Sequence, residues 1–182
     1  RFCPTETPEG TEIGLRKNLA LLAKVSTAFE YDEKSLYKKF ESLGLKQDNN
    51  KEETDVFFNG RFLGYIKNQE EFTNKLRESR RRKELPRELS INFDPILKIV
   101  SVLTGVGRVL RPLIIADNGV SRLKDEHLKL LHEGKMKWTD LVDQGIIEYL
   151  DAAEEENIFV ALEEKDLIKE HTHVEVHPVD IF

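Results

Sequence analysis

The sequence predicts an α+β fold, with short strands and helices mixed rather than alternating in βαβ order. Three observations carry this. Two β-rich arms flank Asn59-Gly60 in "VFFNGRFLGYI", and a pair of residues tolerant of positive φ suits a tight hairpin turn. Two amphipathic stretches, "YDEKSLYKKFESLGL" and "NQEEFTNKLRESRRRKEL", lie on either side of that hairpin. Three short apolar runs, "LSINFD", "ILKIVSVLT" and "RVLRPLIIA", then follow with no helix between them, which disfavours a doubly wound parallel sheet.

The first ten residues, "RFCPTETPEG", hold two prolines and end on glycine. Each proline disfavours helix at the residue before it, and Gly10 and Gly14 permit positive φ or the close approach of another chain. Thr5, Glu6, Thr7 and Glu9 are expected to offer side-chain acceptors to backbone N–H groups in a Pro-fixed loop. An ordinary capped loop and a rigid loop presenting Glu9, Arg16 and Lys17 to a charged ligand are both open on these residues. The run "LRKNLALLAKV" from Leu15 to Val25 is apolar enough to be expected buried, and its periodicity fits strand as well as helix.

Further along, Leu36, Phe40 and Leu43 share a helical face and Gly44 makes a C-cap. The polar stretch Lys46 to Asp55 reads as a mobile loop. In the second helix Phe72, Leu76 and Ser79 lie on one side. Glu70 and Glu71 stand at its start and Arg80 to Lys83 at its end, as the helix dipole favours, and Pro86 terminates it. After "DNG" the pattern predicts a helix from about Ser121 to His132, another around "WTDLVDQG", and strands at "IIEYL", "IFVAL" and in the tail "HTHVEVHPVDIF".

Composition bounds the function. The 182 residues are 39% hydrophobic and 34% charged, with a net charge of −6, a balance that argues against a free-standing nucleic-acid binder working through bulk charge. The single Cys3 allows neither an internal disulfide framework nor a cysteine-based zinc site.

Candidate chemistry is sparse. On a strand, His171, His173, Glu175 and His177 share a face, and a His-x-His pair can chelate zinc; a plain strand of a larger sheet is the expected reading. The run "RESRRRK", Arg77 to Lys83, is a candidate phosphate-binding patch, but it spreads its charge around a helix, and a solvated helix end with a few ion pairs is the expected reading. "EEEN" reads as an exposed turn. No nucleophile–base set, Walker loop or dinucleotide motif is present.

The opening residues carry a resemblance that spacing alone does not. "CPTETPEG…IGLRKNLALLAKVS" resembles the signature of the second-largest subunit of multisubunit DNA-directed RNA polymerases, the Rpb2/β family, in its archaeal and eukaryotic style. "DVFFNGRFLGYI", "LRESRRRKELPRELSI", "GRVLRPLIIA", "WTDLVDQGIIEYLDAAEEENIFVAL" and "HTHVEVHP" resemble further family motifs in the same order.

The resemblance implies a stretch of a much longer subunit. It implies residues 1–27 as the end of the fork region, 28–165 as the external 2 domain and 166–182 as the start of the hybrid-binding domain. Glu9, Lys17 and Asn18 are then expected near the active centre and nucleic acid. It implies no catalytic and no metal-binding residue in this stretch, with Mg²⁺ held by the largest subunit of the complete enzyme. Other polymerase subunits, template DNA and RNA are the implied partners, with no membrane. The implied location is the cytoplasm, or the nucleus in a eukaryote. Glu12 and Arg16 stand where bacterial relatives form part of the rifamycin pocket, so drug contacts are not carried over.

Overall fold

The computed structural model describes residues 1–47 and 53–176. In chain order the elements are β1 (Lys24–Val25), α1 (Glu33–Ser42), β2 (Thr54–Phe58), β3 (Arg61–Ile66), α2 (Gln69–Arg81), β4 (Ser90–Asp94), β5 (Ile99–Leu103), β6 (Val109–Asp117), β7 (Val120–Ser121), α3 (Asp125–His132), α4 (Trp138–Asp143), β8 (Ile147–Leu150), α5 (Ala152–Glu155), β9 (Val160–Ala161) and β10 (His173–Glu175). This is an α+β chain with two sheets.

The chain divides into two compact units. One comprises Arg1–Ser26, Arg108–Asp151 and Ile158–Phe182; the other comprises Thr27–Gly107 and Ala152–Asn157. The stretch 28–165, expected as one domain, therefore contributes to both. The polypeptide leaves the second unit after Gly107 and re-enters it for the six residues from Ala152, a return that only long-range contacts specify.

The second unit is built on a four-stranded sheet in the order β3-β2-β5-β4. Asn59 and Gly60, at φ 48° and 78°, form the turn that pairs Phe58 with Arg61, as the sequence predicts. Inward residues Val56, Phe58, Ile66, Ile91, Val100 and Val102 join Leu36 and Phe40 of α1 and Phe72 and Leu76 of α2 in one core. Helix α1 starts at Asp32, whose carboxylate accepts the N–H groups of Lys34 and Ser35, each at 3.1 Å, satisfying donors a helix start leaves bare. Asn68 does the same for α2 through Glu71 N–H, at 3.1 Å.

Both edges of this sheet are closed. At the β3 edge, the register with β2 passes from Val56↔Gly64 to Phe57↔Phe62, so Leu63 is an extra residue in a bulge. Bulges twist an edge away from further pairing. Lys46 also bridges Tyr65 on that side, with N–H···O bonds of 2.9 and 2.7 Å in the two directions. A Cβ at Gly64 would collide with the Lys46 carbonyl oxygen, which explains why glycine stands there. The loop expected from Lys46 to Asp55 is thus structured at both ends, with Lys46 bridged and Thr54–Asp55 in β2; its centre, residues 48–52, lies outside the described residues.

The first unit is organised around the nine-residue β6, which pairs antiparallel with β1, β7, β8 and β10. β10 also pairs parallel with β9, so the histidine-rich tail lies inside a sheet. Its core gathers Ile114, Leu141, Ile147 and Val174. "DNG" makes a second tight hairpin, with Asn118 and Gly119 at φ 51° and 81° joining β6 to β7. The helix expected from Ser121 therefore starts only at Asp125.

The apolar run Leu15–Val25 is not buried. Ala20 alone among its apolar side chains is fully covered, and Leu15 and Leu21 are 79% and 76% exposed. It forms turns and the two-residue β1 rather than a helix. Beyond β1 the run is held by a bridge from Leu19 to Phe2 and by backbone bonds to Arg1 and Cys3, which leave Leu15, Leu19 and Leu21 exposed, so apolar composition alone misjudged its burial.

Candidate nucleic-acid interface

The loop expected to present Glu9 is held at its base. Phe2 bridges Leu19, Cys3 N–H donates to Asn18 O at 2.9 Å and Ala20 N–H to Arg1 O at 2.8 Å. Arg1 reaches β6 and β8, donating through Nε to Val109 O at 3.1 Å and through Nη2 to Leu150 O at 3.2 Å. Such side-chain bonds fix a loop whose backbone has no ladder of its own.

The three expected site residues have different duties. Asn18 ties the loop across, its Nδ2 donating to Glu6 O at 3.1 Å. Lys17 places its ammonium 5.4 Å from the Phe2 ring centre, a cation–π arrangement. Glu9 precedes a single 3₁₀ turn, Gly10–Glu12, makes no capping bond and is exposed. Thr7 differs from expectation: its hydroxyl donates to Cys3 O at 3.0 Å, serving a carbonyl rather than an N–H. Gly10 and Gly14 both take positive φ, 75° and 82°.

The basic run and the acidic turn, both expected at the surface, meet in a buried network in the second unit. Glu154 is 1% exposed. Its carboxylate accepts Arg77 Nε at 3.1 Å, Arg80 Nη1 and Nη2 at 2.7 and 2.8 Å, and Ile91 N–H at 3.1 Å. Arg77 Nη2 donates to Ile91 O at 3.1 Å and Arg80 Nη1 to Leu89 O at 2.5 Å. Asn157 exchanges two 2.8 Å bonds with Phe93, N–H to Oδ1 and Nδ2 to O. These side chains satisfy the outward backbone groups of β4 as another strand would, so the edge is sealed. Charges removed from water persist only when paired and bonded in this way.

The histidines do not converge. His173 is buried, with Nε2 2.8 Å from Glu148 Oε1 and Nδ1 2.9 Å from Thr172 Oγ1. Glu175 pairs with Arg111 at 2.5 Å, and His171 Nδ1 accepts Ile168 N–H at 3.1 Å. His177, the remaining member of the sequence pattern, lies outside the described residues. Among the described residues no group of three or more His, Cys, Asp or Glu side chains is placed to hold a metal ion, and no helix is long and apolar enough to cross a membrane.

The Glu154 network was missed because its members are 74 and 77 residues apart in sequence. The only signal available was the i, i+3 spacing of Arg77 and Arg80, which puts both on the side of α2 that also carries Thr73 and Leu76.

Comparison with known proteins accounts for most of the chain. Three family models match in succession: RNA polymerase Rpb2 domain 3 at residues 1–25, domain 4 at 56–117 and domain 5 at 138–178. The DNA-directed RNA polymerase subunit Rpo2 of Sulfolobus acidocaldarius is 40% identical over 98% of the chain and 17% of its own length. The RNA polymerase III subunit RPC2 of Saccharomyces cerevisiae is 35% identical over 99% and 16%, and the RNA polymerase II subunit RPB2 of Schizosaccharomyces pombe 37% over 91% and 15%. The chain thus spans about one sixth of the length of these relatives. With three consecutive domain models in order and relatives matched almost end to end, the chain belongs to the Rpb2 family of second-largest RNA polymerase subunits.

Proposed function

We propose that this chain acts in DNA-templated transcription as part of an assembled multisubunit RNA polymerase, where it shapes the fork and the active-centre cleft. In that reading residues 1–27 end the fork region, 28–165 form the external 2 domain and 166–182 lead into the hybrid-binding domain. The observation that supports a nucleic-acid role is the N-terminal loop: its base is bonded through Arg1, Cys3 and Asn18 while Glu9 and Lys17 stay exposed. A loop fixed at its base and open at its tip suits positioning rather than bond-making. Nucleotidyl transfer itself belongs to the complete enzyme, with Mg²⁺ held by the largest subunit, and the isolated chain is inactive. Its partners are other polymerase subunits, template DNA and RNA. It works in the cytoplasm of an archaeal-type cell, or in the nucleus of a eukaryote.

The test places a photocrosslinker at position 9 or 17 in the full-length subunit of a reconstituted polymerase. Crosslinks to template or transcript are expected. Crosslinks to protein alone at both positions would overturn the nucleic-acid assignment.

A further inference from the structure

The bulge at Leu63 does more than blunt an edge. In a regular register Tyr65 and Phe62 would point to opposite faces of the sheet, because side chains alternate. The extra residue brings Phe62 opposite Phe57, while Tyr65 stands opposite Asp55. All three rings then gather on the face away from the core, with centroids 5.6 Å apart for Phe57–Phe62 and 5.1 Å for Phe62–Tyr65. Phe62 remains 44% exposed. A device that turns a phenylalanine from the core side to the open side is a feature to be explained by use.

The charges around the rings are specific. Lys46 lies directly across from Tyr65 in the bridge, and residues opposed in this way share a face. Lys67 follows two positions after Tyr65. Both lysines are exposed, and neither makes an ion pair among the described residues. Asp55 is the carboxylate beside Tyr65, farther from the β3 edge. Among the described residues the edge side of the cluster therefore carries two lysines, in a chain whose net charge is −6. The rings meet at 68° and 65°, so they do not offer parallel planes on which successive bases would stack. An edge-on cluster of this kind accepts an apolar side chain instead.

We propose that this face docks a polypeptide segment of another protein, seating an apolar side chain among Phe57, Phe62 and Tyr65 and setting carboxylates over Lys46 and Lys67. The surface shares no residue with the N-terminal loop, and its test needs no polymerase, so its failure leaves the transcription reading untouched.

The experiment titrates the chain, with its aromatic side chains observed by NMR, against three probes. These are a short Leu-Phe peptide flanked by Asp and Glu, the same peptide flanked by Lys, and oligo(dT). The acidic peptide is expected to shift the Phe57, Phe62 and Tyr65 ring signals and to bind about tenfold more tightly than the lysine version, the combined effect of two exposed charge pairs. Phe62→Ala, an exposed site that leaves the core intact, abolishes those shifts, and the pair Lys46→Glu with Lys67→Glu inverts the charge preference. Equal binding of both peptides, shifts that survive Phe62→Ala, or tighter binding of oligo(dT) to the same rings would each overturn the proposal.

Discussion

Arg80 and Glu154 meet through two hydrogen bonds, Nη1 to Oε2 at 2.7 Å and Nη2 to Oε1 at 2.8 Å, although 74 residues separate them in sequence. Both are almost wholly buried, with 3% and 1% of their side chains exposed. The carboxylate also serves Arg77 and the Ile91 N–H, so one group neutralises two cations and caps a strand edge. Removing one partner of a buried ionic cluster costs about 3–5 kcal/mol, because the charge left behind has no water to return to.

Glu154→Ala should therefore destabilise the second unit by about that amount, read as lost hydrogen-exchange protection in β2 and β5. Exposed Glu156, two residues away in the same acidic turn, supplies the control: Glu156→Ala should change stability by no more than about 0.5 kcal/mol. Equal losses from both variants would show that Glu154 is not the tie the geometry describes.

Asn157 makes a separable contribution. Its amide pairs with both backbone groups of Phe93, and an unsatisfied backbone group at a covered edge costs about 1–3 kcal/mol. In Asn157→Ala the Phe93 amide should exchange faster while Val100, its neighbour across the β4–β5 ladder, stays protected. Unchanged Phe93 exchange would mean the edge is sealed by other groups.

Much of this was legible in the sequence where the cause is local. Asn59-Gly60 announces a turn because both positions need positive φ, and Leu36 and Phe40 announce a buried helix face because their spacing is helical. The same logic holds at Asn118-Gly119, which turns β6 into β7. What was not legible depends on partners distant in the chain. Arg77, Arg80 and Glu154 look like surface residues until β4 and α5 converge on α2. His173 is legible as a strand residue, but not as one whose Nε2 meets Glu148. Leu15 and Leu21 look like core, yet the described residues of the first unit leave them uncovered. At the candidate interface, the resemblance supplied Glu9, Lys17 and Asn18. Only the folded loop separates Asn18, which ties it across, from Glu9, which makes no capping bond.

Gly64 tests a second local cause. Because a Cβ there would meet the Lys46 carbonyl oxygen, Gly64→Ala should open the Lys46–Tyr65 bridge and expose the Tyr65 amide to exchange. Gly60→Ala, at φ 78° with no atom in the way, should cost only the backbone strain of about 1–2 kcal/mol and leave that amide protected. If both variants expose Tyr65 equally, the bridge depends on the hairpin as a whole rather than on room at Gly64.

The pair Lys39–Glu84 gives the chain a pH-dependent contact. Lys39 Nζ lies 2.5 Å from Glu84 Oε2, and this hydrogen bond, followed by one from Ser79 and by the lysine's charge, holds the Glu84 carboxyl below its ordinary 4.5. A carboxylate depressed in the folded state stabilises fully above its unfolded value and loses that contribution as the pH falls through the folded one. The loss therefore lies below pH 4.5, and it is small because the site is open to solvent and screened. In Lys39→Ala the Glu84 carboxyl, followed by its side-chain carbon NMR signal, should titrate nearer its ordinary value, and the variant's stability should fall less steeply over the same acid range. An unmoved Glu84 titration would show that Ser79, rather than Lys39, sets the depression.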